Sequence, residues 1–535
     1  MTAPSTAGGD DAVERPSPAP PLAWDVWGDG ARPAALPPGV RPLLALVLGS
    51  RPRALPRRSP DEVTLSASRL TAEDLSALDA LAPTTLDDEV RRRHLGGKST
   101  PDLLARRLDA RQVAPDAVVS PGDHASVQAV LAFCDAGDIA VVPFGGGSSV
   151  VGGVEPDAGG HRAVIALDLA ATAGLLSLDE TSLLATFGAG TTGPQAEELL
   201  ARHGLTLGHF PQSFEFATIG GFAATRSSGQ ASRGYGRFDD LVHAIVVAAP
   251  AGELRLGRAP ASAAGPDLRE LFLGSEGALG VITEVTVRVR PKPTRTAYAA
   301  WTFPDFAAGA EALRSVTQRG LRPTVLRLSD ETETRINAAM GGHLTRLRGC
   351  LAVATFDDPG PGALEALDEV FRAHGAQPRG EDPARSWERG RYSAPALRDT
   401  LLDIGVLAET LETAATWSRL RDLKAAVSAA LVDALGGRPQ ILCHISHVYP
   451  AGASLYFTVV APLGDDPVAQ WRTAKDAASR AITASGGTIT HHHAVGTDHL
   501  PHLADEIGGL GVEVLRAVKR TVDPRGILNP GKLVP

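Results

Sequence analysis

The sequence predicts an α+β protein with more than one domain, and three observations carry that prediction. The chain has 535 residues, more than one ordinary hydrophobic core accommodates. A strand, helix, strand unit starts at Ala117 and runs into the glycine loop Gly145-Gly146-Gly147, the pattern that builds an α/β layer. Beyond Pro291-Lys292-Pro293, strands near Val325 and Val353 alternate with helical stretches. That change of texture predicts a second α+β domain on an antiparallel sheet.

Residues 1–20 hold too little apolar surface to offset ordering entropy and are expected to form a disordered tail. Residues 21–114 are rich in Pro and Arg with short helical patterns such as Ala72 to Leu81, so an N-terminal helical extension is expected. In residues 115–292, Ala117-Val118-Val119 reads as a strand and Asp123 as the N-cap of the next helix. That helix carries Val127, Val130, Leu131 and Cys134 on one face. Ile139 to Val142 is the following strand. Further strands are predicted at Ala163 to Leu167, Leu183 to Phe187, Val242 to Ala248 and Thr283 to Arg290, the last with Val285, Val287 and Val289 on one side. Residues 293–486 form the second domain, with strands at Gln440 to Ile445 and Leu455 to Val460 and a helix from about Val468 to Ala484. Residues 487–535 are read as a C-terminal segment that completes the active site. There is no internal repeat.

A formal charge of -9 argues against nucleic-acid binding, which needs a basic face. The clusters Arg51, Arg53, Arg57, Arg58 and Arg91, Arg92, Arg93 read as solvated surface. Three scattered cysteines, Cys134, Cys350 and Cys443, fit a reducing compartment rather than a disulfide framework. The start of the chain lacks a signal-peptide pattern, and the apolar run Leu43 to Leu48 is far below the ~20 residues that span a bilayer. A cytoplasmic or membrane-peripheral setting is expected.

Three glycine-rich segments carry the main chemical signal. They are Pro143-Phe144-Gly145-Gly146-Gly147-Ser148-Ser149, Pro211-Gln212-Ser213-Phe214-Glu215-Phe216-Ala217-Thr218-Ile219-Gly220-Gly221, and Gly274-Ser275-Glu276-Gly277-Ala278-Leu279-Gly280-Val281-Ile282. Residues without Cβ let backbone N–H groups converge on a pyrophosphate. Any one segment alone reads as a turn; three in this order, each beside a strand, do not. Gly97-Lys98-Ser99-Thr100 imitates the end of a P-loop, but Arg92 stands where that motif needs glycine. Gly188-Ala189-Gly190 lacks the third glycine of a Rossmann fingerprint.

These segments, with Thr225-Arg226-Ser227-Ser228, resemble the FAD-binding (PCMH-type) domain of the vanillyl-alcohol-oxidase superfamily. Within it the chain resembles the alkyldihydroxyacetonephosphate synthase family from about Trp24 to Val522. The resemblance implies two subdomains that hold FAD between them and an α+β cap above. It also implies that Pro143 to Ser149, Gln212 to Thr218, Gly221, Thr225 to Ser228 and Glu276 to Ile282 bind the cofactor. Ser148 follows Gly147 where covalent members carry a histidine, so dissociable FAD is expected.

Four further features concern the cap and the end of the chain. Arg327 and Arg398 sit among apolar residues, either paired with a carboxylate or reserved for an anion. Tyr456 alternates with Leu455 and Phe457, so it faces away from them, either as a satisfied phenol or as a functional one. The run His491-His492-His493 reads as a surface cluster, a metal site or a base group; successive residues of an extended chain point apart, so all three cannot easily share one ion. By resemblance, Tyr456, the histidine triplet and His209 are catalytic, Arg398 and Arg327 bind substrate, and no metal is expected.

The implied reaction exchanges the acyl group of acyl-dihydroxyacetone phosphate for a long-chain alcohol through a flavin–substrate adduct, with no net redox change. Lipid substrates, possible contact with a membrane surface and a homodimer go with it. The alternative is a D-2-hydroxy-acid (D-lactate-type) dehydrogenase, which the ending Asp523 to Lys532 resembles. Cys443-His444-Ile445-Ser446-His447 lacks the metal-binding motif of that group. Ala259 to Asp267 lacks an arginine of the animal synthases, and Leu533-Val534-Pro535 is not a peroxisomal address.

Overall fold

The computed structural model describes residues 13–31, 35–36, 40–49, 52–340 and 348–535. Residues 1–12 of the expected tail and Arg51 lie outside the described residues.

Strands Ala117–Val119, Ala163–Asp168 and Ile139–Phe144 pair in parallel, with Thr84–Thr85 antiparallel at one edge. Parallel neighbours need a crossover connection, and helix His124–Ala136 begins it. Asp123 caps the helix, its carboxylate accepting from Ser126 N at 2.8 Å. Val127, Val130, Leu131 and Cys134 are buried in one core with this sheet. Ile139–Phe144 therefore delivers the first glycine loop at the carboxyl end of a parallel strand, where open α/β sheets place their ligands.

A second, antiparallel sheet has the order Gly252–Leu256, Val242–Ala249, Val281–Arg288, Leu184–Gly188, Leu175–Asp179. Val285, Val287 and Val289 are buried in its core, as their alternation predicts. The third sheet has seven strands, all antiparallel: Gln377–Gly380, Thr296–Phe303, Cys350–Asp357, Val325–Ser329, Gln440–Ile445, Gly452–Pro462 and Val406–Thr416. Helices Phe306–Gln318, Ala363–Ala373, Leu420–Leu435 and Pro467–Ala484 share one core with it. Strand period does the sorting: Leu455, Phe457 and Val459 enter that core, while Tyr456, Thr458 and Val460 face a cavity.

The N-terminal region differs from expectation. Residues 13–20, expected in the disordered tail, lie along the second sheet. Glu14 and Leu175 exchange backbone hydrogen bonds, Arg15 donates to Ala171 O and Ala173 O, and Gln195 donates to Ser17 O. Polar and backbone bonds hold this stretch, so its low apolar content was a poor guide. The P-loop lookalike also has a structural explanation. Ser99 caps helix Thr100–Leu108, and the buried Lys98 ammonium donates to Ala23 O and Trp24 O. The basic clusters are partly inward: Arg91 is buried and donates to Pro115 O and Ser66 O, and Arg57 pairs with Asp403 at 2.8 Å.

Asp116 fastens the extension to the parallel sheet. Its carboxylate, 2% exposed, accepts from Val164 N at 2.7 Å, Arg69 N at 2.6 Å and the Arg69 guanidinium at 2.7 Å. Removing it leaves a buried amide unpaired. Asp116→Ala is expected to lower unfolding stability by about 3 kcal/mol, read as a reduced urea midpoint at unchanged slope.

Candidate active site

The three glycine segments meet around one cavity of about 480 Å³. A Cβ on Gly146 would stand 2.0 Å from Phe216 O, and one on Gly145 would stand 2.5 Å from Thr218 Oγ1. Any side chain there would hold the first two segments apart. Their backbones close on each other, and a wall of bare peptide groups is left, the surface that a pyrophosphate requires. The residues present fit a dinucleotide cofactor.

Most residues predicted to bind that cofactor line the cavity; Phe214, Glu215, Phe216, Arg226, Ser228, Ala278 and Leu279 do not. Ala278 and Leu279 belong to the core of the second sheet. Phe214 stacks on Tyr392. Glu215 and Phe216 border a second cavity of about 490 Å³ beneath residues 15–22. Arg226, at φ +49°, turns to Asp239 and Glu270, and Ser228 shares a hydrogen bond with His447 Nδ1. Chain neighbours that point opposite ways explain these misses.

Tyr456, His492 and His493 face the cavity. Burial pushes the Tyr456 phenol up to about 12, so it keeps its proton at neutral pH. The His444 ring stacks on it, centroids 4.8 Å apart. Burial pushes His493 down to about 3 and His492 down as well, and Glu412 opposes both shifts. His491 stands behind them, its Nε2 2.7 Å from Tyr449 OH and its Nδ1 2.9 Å from His492 Nδ1. His447, His491 and His492 each bring a ring nitrogen within 4.8 Å of the others. His491 and His492 lie beside His447, and His492 and His493 both lie beside Tyr456.

His209 does not reach the cavity. It is packed between Phe222 and Phe238, with Nε2 3.1 Å from Ser227 Oγ, and burial pushes it down to about 3. Ser227 itself lines the cavity, so His209 touches a cavity-lining residue without lining the cavity itself.

The two arginines have different places. Arg398 is the one Lys or Arg among the described residues that line the cavity. Its guanidinium donates to Asp399 Oδ1 at 3.0 Å and Lys98 O at 2.6 Å. Arg327 lies one layer further back, donating to Glu333 Oε1 at 2.8 Å and His444 Nδ1 at 2.9 Å. It meets Tyr456 only through the stacked His444.

Two buried carboxylates fix the turn that carries the histidines. Glu276 accepts from Val495 N at 3.0 Å and Gly496 N at 2.9 Å, and burial pushes it up to about 7. Glu412 accepts from the backbone N–H groups of His491, His492 and His493. Sequence reading missed the role of Glu412; the available signal was an acid inside the apolar strand Val406–Thr416.

Away from its polar end the cavity is apolar. Leu36, Val40, Leu44 and Val47 line it from the extension, with Leu397, Leu401, Leu442 and Val460 from the cap.

Two family models match the chain: "FAD binding domain" over residues 115–257 and "FAD linked oxidases, C-terminal domain" over residues 292–533. The alkyldihydroxyacetonephosphate synthase of Dictyostelium discoideum is 32% identical over 478 residues, covering 84% of this chain and 78% of that protein. A solved structure of an alkyldihydroxyacetonephosphate synthase superposes with a TM-score of 0.82 at 26% identity, over 96% of this chain and 99% of that one. A mitochondrial cytochrome-linked D-lactate dehydrogenase of Arabidopsis thaliana is 28% identical over 79% of this chain and 74% of its own length. With 84% of the chain covered by a relative 32% identical and 96% by the superposed synthase structure, the chain belongs to the alkyldihydroxyacetonephosphate synthase family of FAD-binding proteins.

Proposed function

We propose that the chain replaces the acyl group of an acyl-dihydroxyacetone phosphate by a long-chain alcohol. The observation that carries this reading is the single cavity. The dinucleotide loops, a tyrosine–histidine cluster, one arginine and a long apolar wall open into the same space. A hydroxy acid is small and polar and has no use for that wall; a fatty chain has.

The loops Pro143–Ser149, Gln212–Thr218 and Glu276–Ile282 would hold FAD, which when bound would supply a ring system that accepts electron density. We read it as dissociable, because Ser148 follows Gly147 and the three cysteines are buried elsewhere. Arg398 receives the phosphate end. His492 or His493, neutral through burial, takes the proton from the carbon beside the ketone. Tyr456, protonated and within ring contact of His493 (5.7 Å between centroids), relays it onward. Arg327 steadies His444 and so the stacked Tyr456. The apolar wall holds acyl and alkyl chains and keeps water from the reacting carbon.

Peripheral membrane contact belongs to the same reading. Helix Val40–Leu48 lines the cavity with Val40, Leu43, Leu44 and Val47 and exposes Leu46 (75%) on its other side. No helix among the described residues is long and apolar enough to cross a membrane.

The flavin spectrum of the anaerobic protein tests the reaction. Palmitoyl-dihydroxyacetone phosphate is expected to bleach it with release of fatty acid, and a fatty alcohol to restore it. Bleaching by a D-2-hydroxy acid alone, reversed by an electron acceptor, would replace this reading with the dehydrogenase.

Tyr456→Phe is expected to lower kcat on the order of a hundredfold or more while flavin content stays normal. In the parent protein the imidazoles are held neutral and the phenol stands near 12, so Glu276, pushed up to about 7, is the cavity residue that titrates near neutrality. A kcat that changes through about pH 7 and is level from about pH 8 to 9, measured in buffers of constant ionic strength, is the expected profile.

The arginines should separate kinetically. Arg398→Ala is expected to raise KM for the acyl phosphate by about tenfold or more. Arg327→Ala is expected to act on kcat with KM nearly unchanged, in steady-state assays of the flavin-loaded variants.

A further inference from the structure

We infer that Glu412 is the positioning residue and counter-charge for the proton transfer at the histidine triplet. The inference rests on the functional reading above and goes beyond it.

Glu412 stands opposite Tyr456 in the pairing of Val406–Thr416 with Gly452–Pro462 and is 1% exposed. Its Oε1 accepts from Thr490 Oγ1 at 2.7 Å, His492 N at 3.1 Å and His493 N at 2.9 Å. Its Oε2 accepts from His491 N at 2.5 Å. Three consecutive backbone N–H groups on one carboxylate form an anion nest, here filled by the protein itself. Those bonds fix the peptide planes from which the three rings project, and so fix the direction of each ring.

The carboxylate also faces the rings. His492 Nδ1 and His493 Nδ1 each lie 3.7 Å from a Glu412 oxygen. Burial opposes the charged form of Glu412; the hydrogen bonds from Thr490 and from the three backbone N–H groups favour it, and its carboxyl lies well below the usual range. When the C–H bond beside the ketone breaks, its proton goes to a ring nitrogen and its electron pair stays on the carbon. The ring becomes an imidazolium in a buried site, and Glu412 is the negative charge beside it. A neutral group of the same shape would hold the backbone only in part and could not meet that charge.

Glu412→Gln and Glu412→Asp in the flavin-loaded enzyme test this. The Gln variant is expected to lose on the order of a hundredfold in kcat, with KM within about threefold of the parent. A larger isotope effect is expected with substrate deuterated beside the ketone. The Asp variant keeps the charge and should recover about tenfold of that loss. A Gln variant with parental kcat and isotope effect would overturn the inference, and so would an Asp variant no better than Gln. Should the Gln variant lose its flavin, Thr490→Val carries the test. That variant removes one donor to Glu412 and a second acceptor of His493 N, and keeps the carboxylate. Slower turnover with flavin retained supports the role, and an unchanged rate and isotope effect refutes it. Amide hydrogen exchange at His491, His492 and His493 gives a readout free of substrate: protection in the parent and its reduction in Glu412→Gln are expected, with Val495 and Gly496, held by Glu276, unchanged. If the parent turns over no acyl phosphate, the functional reading fails, while amide exchange still decides whether Glu412 anchors the triplet.

Discussion

The site depends on one short turn, His491 to Gly496, being gripped from two sides. Glu412 holds its first half from the cap sheet, and Glu276 holds its second half from the third glycine segment. The turn ties cap and cofactor domain to each other. Ala494 adopts φ +75° within it, a conformation that costs an L residue on the order of 1 kcal/mol or more. Buried hydrogen bonds to the carboxyl groups on both flanks offset that strain. Asn529 adds a third tie, its side-chain amide donating to Gly153 O and Glu276 O, so the end of the chain also holds the glycine loops in register.

Burial then decides the chemistry. The same apolar packing that forms the cavity wall drives imidazoles to their neutral form and keeps the Tyr456 phenol protonated. The polar end therefore rests as a set of uncharged donors and acceptors, ready to receive a proton without first losing one. The charges left nearby, Glu412 and Arg398, are each anchored by hydrogen bonds and do not need substrate to hold their geometry.

Much of this was legible in the sequence because it followed from local periodicity. Alternation of Leu455, Tyr456 and Phe457 separated core from cavity correctly, and the spacing from Val127 to Cys134 marked the buried face of a helix. The glycine segments were legible because only residues without Cβ permit approaches such as that of Gly146 to Phe216 O. Direction within a loop was not legible. Arg226 and Ser228 flank Ser227, yet only Ser227 turns to the cavity. Residues 13–20 were misjudged because their anchoring comes from backbone bonds, which leave no compositional trace.

The two cap arginines show where sequence reasoning stops. Each sits among apolar neighbours, and each has a carboxylate close in the chain, Glu333 six residues after Arg327 and Asp399 directly after Arg398. What separates them is distance from the cavity, and that is set by which face of the seven-stranded sheet or its flanking helices they occupy. Arg327 lies on a strand and spends its guanidinium on Glu333 and His444. Arg398 lies on helix Ala394–Asp403, which packs beside the strand Val406–Thr416 and reaches the cavity wall. A like pair of residues thus has two places: one cation lines the cavity, and the other hydrogen-bonds the ring stacked on Tyr456.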